Sequence, residues 1–173
     1  MAYYYSPFRK EYTDPLGNGC PFCDQKIIRG QSIQNRKGVP VGNEYYFWIA
    51  NWYPRSEAAS MIIPRRHVLS LGEETESEVL AREDILVCAR QAYARLFPGS
   101  GIEIYIQTGS DSQGTIPHLH WHLHPTLPDD PLPGLGKYEK FYTMEEGKEK
   151  VVMYPVEIKL AREKLIEAFK PFT

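Results

Sequence analysis

From His118 to His124 every second residue is histidine, and Leu119, Trp121 and Leu123 fill the places between. Side chains alternate between the two faces of a β-strand, so this run fits a strand with one imidazole face and one apolar face turned to a core. A helix would scatter both sets around its axis. The run holds four of the chain's five histidines. Lys, Thr or Glu would serve a merely solvated face as well, so the choice of histidine points to chemistry. Imidazoles about 7 Å apart along a strand can share a ligand, but all four cannot close on one small ion.

Two chemistries use such a row. Neutral imidazoles can ligate a transition metal, as in metallohydrolases or cupin-type oxidases. That use needs a further carboxylate or histidine nearby, and the spacing His-x-His-x-Asp-His is absent. Alternatively, a neutral imidazole can attack phosphorus and form a phosphoramidate, while its neighbours hold its tautomer and donate to the developing charge. The segment before the row favours phosphorus. Gly109-Ser110-Asp111-Ser112-Gln113-Gly114-Thr115 combines glycine with small hydroxyls, which suits close backbone approach to phosphate oxygens.

The rest of the chain supplies a scaffold. Its 173 residues and 42% hydrophobic content suit one domain with its own core. A net charge of −2 offers no broad basic face to nucleic acid. No stretch approaches the roughly 20 apolar residues of a membrane span. Met1 to Lys10 lacks the apolar centre of a secretory leader, so the expected compartment is the cytoplasm.

Residues 1–24 read as an arm ending in the Cys20-Pro21-Phe22-Cys23 knuckle, followed by a loop through Gly38-Val39-Pro40. Tyr45 to Ala50 and Ser60 to Pro64 read as buried strands, and Ile102, Ile104 and Ile106 as a half-buried one. Glu74 to Phe97 reads as a long helix with Val79, Leu86, Tyr93 and Leu96 recurring at helical spacing. Cys88 falls on that helix and reads as core filling. Tyr154 to Phe169 reads as a strand-to-helix tail ending in an amphipathic helix. The expected class is α+β, with an antiparallel sheet of about five strands, a long helix and a C-terminal helix. One domain is expected over 1–173, with 126–173 as a variable C-terminal extension.

Gly109-Ser110-Asp111, Thr115 and His118-Leu119-His120-Trp121-His122 together resemble the signature of the histidine-triad (HIT) superfamily. Phe8 to Tyr12, Cys20 to Cys23, Asn51-Trp52-Tyr53-Pro54 and Ile63 to His67 follow in the order of bacterial members. They are most similar to the branch of dinucleoside-polyphosphate phosphorylases and hydrolases. The resemblance implies a HIT-like fold and a nucleophile at His120 that attacks the α-phosphate of a nucleotide. It implies that His118 orients His120 through its backbone carbonyl and that His122 assists at the phosphate or leaving group. Thr115 falls at a phosphate-contacting position, Asn51 at a ribose-binding one, and Gln107 at a position facing the nucleotide. Three departures stand out: Gly114 with Gln113 beside it replaces a usual Gln, Ala58-Ala59 replaces a Gly-His pair, and Thr126 replaces an Arg. Gln113 is a candidate to supply the hydrogen bond that Gly114 lacks, and His124 is a fourth histidine beyond the motif.

Three cysteines are a poor disulfide framework, and Cys-x-x-Cys alone fits a zinc knuckle, a redox pair or chance. The thioredoxin-like context of a redox pair is absent. Galactose-1-phosphate uridylyltransferase and some bacterial HIT proteins hold zinc with two cysteines and two histidines at matching places. The resemblance therefore implies structural zinc on Cys20, Cys23, His67 and His118; a capping or solvated histidine is the alternative for His67. The uridylyltransferases carry Gln at the third triad position, where this chain has His122. The expected activity is hydrolysis or nucleotidyl transfer on nucleoside 5′-phosphate derivatives, such as dinucleoside polyphosphates and nucleoside phosphoramidates, through a nucleotidyl-histidine. The alternative is a nucleotide-binding module with little turnover. The expected partners are a nucleotide or dinucleotide and a second copy of the chain, with neither nucleic acid nor membrane.

Overall fold

The computed structural model describes residues 4–5, 19–51, 53–54, 56, 58–108, 116–126, 151–152 and 154–173. In chain order the elements are β1 (Tyr4–Tyr5), a 3-10 turn (Pro21–Cys23), α1 (Gln25–Gln31), β2 (Tyr46–Ala50), β3 (Ser60–Pro64), α2 (Glu76–Leu96), β4 (Gly101–Ile106), β5 (Trp121–Thr126), β6 (Val151–Val152), α3 (Pro155–Phe169) and a closing 3-10 turn (Lys170–Phe172). β2, β3, β5 and β4 form one antiparallel sheet in that spatial order, and β1 pairs with β6 apart from it. The sheet has four strands among the described residues, where about five were expected. Residues 32–42 add only single bridges along β2, at Ser32–Ile49 and Gly42–Phe47.

β2 and β3 are buried on both faces, which is why they read as unbroken apolar runs. Tyr46, Trp48, Ala50 and Ile62 face α2 and α3, together with Leu119, Trp121 and Leu123. Phe169 of α3 sits with its ring centroid 4.8 Å from Trp48 and 4.9 Å from Tyr93, anchoring the C-terminal helix on this face. The opposite face holds Phe47, Ile49, Met61 and Ile63 under Phe22 and Ile28, with Ile116. The sheet therefore separates a helix-covered core from a smaller core under the cysteine turn. No helix among the described residues is long and apolar enough to cross a membrane.

α2 begins at Thr75, whose hydroxyl accepts from the Glu78 N–H while Glu78 accepts from the Thr75 N–H. Its buried stripe runs through Ile85, Ala89, Ala92 and Tyr93, rotated from the expected Val79–Leu86–Tyr93 line. Val79 and Leu86 are only half-buried. Cys88 packs at the edge of this core, where burial pushes its thiol pKa up. β4 alternates as expected, but Ile104 is 48% exposed because β4 lies at the sheet edge.

One element was not expected. Residues 25–31 form α1, inside the stretch read as loop. Asp24 caps it by accepting from the N–H groups of Lys26 and Ile27 at 2.8 and 3.4 Å, and Ile28 is fully buried against the histidine-bearing face.

Candidate active site

Strand β5 begins only at Trp121, so His118 and His120 precede the ladder while His122 and His124 lie within it. His122 pairs with Met61 on β3 and Tyr105 on β4, and His124 pairs with Glu103. The row stays continuous across that boundary, with ring centroids of His120 and His122 4.7 Å apart and those of His122 and His124 6.4 Å apart. All four imidazoles are buried, none more than 8% exposed. A solvated histidine face is thereby excluded.

His120 Nδ1–H donates to the His118 carbonyl at 2.7 Å. A carbonyl can only accept, so the proton sits on Nδ1 and Nε2 keeps its lone pair. Burial lowers the pKa of His120, partly offset by that same bond, and favours a neutral ring. His118 is fixed in the complementary sense. Its Nε2–H donates to the Pro64 carbonyl at 3.0 Å, leaving Nδ1 to face the cysteines. Burial pushes its pKa down to about 4.

His118 Nδ1 lies 3.4 Å from Cys20 Sγ and 3.6 Å from Cys23 Sγ, and His67 Nδ1 lies 3.2 Å from Cys23 Sγ. All four ligand atoms fall within 4.8 Å of one another, a cluster that could bind a metal. Bonds of about 2.0–2.3 Å in a tetrahedron put ligand atoms roughly 3.3–3.8 Å apart, so this donor set fits zinc with little adjustment. The His118 bond to Pro64 is the outer-shell contact such a ligand uses to hold its tautomer. His67 is exposed, yet its ring stands 4.9 Å from His118 and belongs to the cluster.

The nucleotide-facing candidates are more spread out. Gln107 follows directly on the last β4–β5 pair, Ile106–Trp121, which sets it level with His120. Asn51 follows β2; its N–H donates to the Ala59 carbonyl at 3.0 Å and its Oδ1 accepts from the Tyr53 N–H at 3.1 Å. It lines a cavity of about 490 Å³ with Ala58, Ala59, Phe97, Leu165 and Arg162, which the triad histidines do not line. Gln113, Gly114 and Thr115, and the segment 8–12, lie outside the described residues.

His124 gains a clear setting. It is fully buried; its Nδ1 lies 2.6 Å from Ser56 Oγ and its Nε2 lies 2.9 Å from the Tyr105 hydroxyl. Neither Ser56 nor Tyr105 was expected at the site. The alternation of β4 could have placed Tyr105 on the histidine face. No local signal marks Ser56, whose contact spans 68 residues.

The sequence model of the HIT domain matches residues 34–128. The chain belongs to the HIT domain family. Its fold agrees with a hypothetical histidine triad nucleotide-binding protein from Sulfolobus tokodaii at a TM-score of 0.58 and 19% identity, over 87% of this chain and 91% of that one. A Zn-bound histidine triad family protein from Mycobacterium smegmatis aligns at a TM-score of 0.53 and 19% identity, over 87% and 97%. In sequence, this HIT protein is 29% identical over 92 residues to the asymmetrical bis(5′-nucleosyl)-tetraphosphatase of Schizosaccharomyces pombe, covering 50% of each chain. The chain thus matches about half the length of that curated relative.

Proposed function

We propose that this HIT protein cleaves nucleoside 5′-phosphate derivatives, dinucleoside polyphosphates or phosphoramidates, through a nucleotidyl-His120 intermediate. The observation that carries the reading is the bond from His120 Nδ1–H to the His118 carbonyl, which leaves Nε2 as a buried, neutral nucleophile. Nε2 attacks the α-phosphorus, forming a P–N bond as the bond to the leaving group breaks. The leaving group departs with that electron pair and takes a proton from solvent, while His122, its ring centroid 4.7 Å from that of His120, is placed to hydrogen-bond it or the phosphate. Water, or phosphate as acceptor, then attacks phosphorus and returns the electron pair to Nε2. The tetraphosphatase relative supports this class of substrate.

Zinc at Cys20, Cys23, His67 and His118 has a structural role in this reading, tying the knuckle to the residue whose carbonyl holds His120. When bound it supplies a rigid cross-link rather than Lewis acidity. A homodimer is favoured by the sheet edge: β4 has a strand partner on one side only among the described residues, and Ile104, Val87 and Leu80 are 48, 56 and 63% exposed. Light scattering on the purified protein tests that assembly.

A second reading, a binding module with little turnover, is favoured by the separation of the Asn51 cavity from the triad. Adenosine 5′-phosphoramidate and diadenosine tetraphosphate decide between them. The expected result is turnover that disappears in His120→Ala, with a nucleoside monophosphate adduct on His120 seen by mass spectrometry after alkaline quench. Tight AMP binding without turnover of either probe overturns the hydrolase reading in favour of the module.

A further inference from the structure

The imidazole of His124 is fully buried, and so is its partner Ser56. Burying polar atoms is costly unless each finds a partner, and here both ring nitrogens have one. Either neutral tautomer works. Ser56 O–H can donate to Nδ1 while Nε2–H donates to the Tyr105 oxygen, or both bonds can run the other way. The apolar face of the same strand fills equivalent places with Leu119 and Leu123, so volume alone does not require histidine.

The far end of the chain of bonds touches the triad. The Tyr105 ring lies 4.7 Å from the His122 ring with 19° between planes, and 5.1 Å from His124 with the same angle. A flat stack sets the plane of a neighbouring ring but leaves it free to slide. The hydroxyl bond to His124 removes that freedom from Tyr105. Ser56, in turn, fixes His124 to the segment that runs from Asn51 to Ala59.

We propose that Tyr105 is a positioning residue for His122, pinned by the Ser56–His124 pair, so that the third triad imidazole presents one orientation to the phosphate. This rests on the nucleotidyl-transfer reading for its catalytic consequence, though not for its geometry. An imidazole that must donate to developing charge loses effect steeply when misplaced by about 1 Å, on the order of 10²-fold in rate. A group that only orients His122 acts on the chemical step more than on ground-state binding, so the loss falls on kcat.

The test uses the full chain and two readouts. Hydrolysis of adenosine 5′-phosphoramidate is measured for Tyr105→Phe, Tyr105→Leu, His124→Leu and His124→Gln. Tyr105→Phe keeps the stack and loses the pin; it is expected to lower kcat about tenfold with KM within about twofold. Tyr105→Leu loses both and is expected to fall about 10²-fold. His124→Gln, which can still reach the Tyr105 hydroxyl, should recover part of the loss seen in His124→Leu. The second readout is NMR of the His122 ring protons, which a stacked Tyr105 shifts upfield whether or not the protein turns over any probe. That shift should persist in Tyr105→Phe with broader lines and vanish in Tyr105→Leu. Unchanged kcat in Tyr105→Phe and His124→Leu, in a wild-type protein that is active, overturns the positioning role while leaving the function standing. Should the wild type hydrolyse neither probe, the function reading fails, and the NMR arm decides the geometry: unaltered His122 signals in Tyr105→Leu overturn it.

Discussion

The residues 118–124 present two faces, and different physics holds each. Leu119, Trp121 and Leu123 lie in a continuous apolar core, where Tyr46 packs edge-on against Trp121 with ring centroids 6.0 Å apart. Behind Trp121 the Arg82 guanidinium sits 4.8 Å over its ring, and Arg82 is bonded to Glu74, which also accepts from the Tyr46 hydroxyl at 2.5 Å. Burial and the Glu74 carboxylate push the Tyr46 phenol pKa well up, so it remains a donor. The other face also packs, with the Phe22 ring 5.1 Å from that of His120, but its imidazoles are oriented by directed bonds: His118 to Pro64, His120 to His118, His124 to Ser56 and Tyr105. Removing volume from the first face should therefore cost stability, and removing an atom from the second should cost activity.

The sharpest separation is expected between neighbours in sequence. His120→Ala should lower turnover by about 10⁴-fold or more, whereas its urea midpoint should stay close to wild type. Trp121→Ala should do the reverse, costing about 3–5 kcal/mol of stability with residual activity scaling with the folded fraction. Equal losses in both variants, by denaturant titration and single-turnover kinetics, would erase the distinction. The cysteine–histidine cluster borders the polar face and, with zinc bound, should behave as a staple for it. In Cys20→Ser, metal analysis should show loss of bound zinc, and the melting temperature should drop by about 10 °C. Retained zinc in that variant would move the metal to the imidazole row.

A smaller effect comes from the pair that anchors α2. Arg66 Nε and Nη2 donate to the two Glu78 carboxylate oxygens at 2.8 Å, and this contact, aided by Thr75, holds the Glu78 pKa down to about 2 against burial. Since the folded value lies below the unfolded one, the contribution is complete above the ordinary glutamate value of 4.5 and drains away as pH falls towards 2. Glu78→Gln should flatten the stability curve in that window and leave it unchanged in slope above it, as followed by urea melts at stepped pH. Smallest of all is Ala58, held at φ 64° where glycine is at ease, with its carbonyl accepting from the buried Tyr93 hydroxyl at 2.5 Å. Ala58→Gly should stabilise by about 0.5–1 kcal/mol, the relief of left-handed strain less the added chain entropy.

The parts of this molecule that sequence made legible are those with a period. Alternation exposed the histidine face, and unbroken apolar runs exposed β2 and β3. The cysteine pair and His67 were legible through family likeness, and the structure brings them together with His118. α1 was hidden because it is short and carries Gly30, leaving Ile28 as its one fully buried apolar anchor. The stripe of α2 was misplaced by a few tens of degrees because Ala89 and Ala92 are small and carry little hydrophobic signal, though both are fully buried. Glu78 is buried only because Arg66 meets it from a different part of the chain. Ser56 and Tyr105 joined the site through tertiary contact with His124, a residue whose place in the motif implied no such partners.

The cysteine–histidine cluster has a consequence for how this chain comes of age. Its members arise from three distant stretches, and His118 lies 95 residues beyond Cys23. A chain leaving the ribosome offers the two thiols early and must wait for the far side of the sheet before they have a complete set of partners. The cluster can close only after the knuckle, the end of β3 and the approach to β5 have met, and it fastens the same residue whose carbonyl accepts from His120. Its geometry therefore reports on the joining of all three stretches at once.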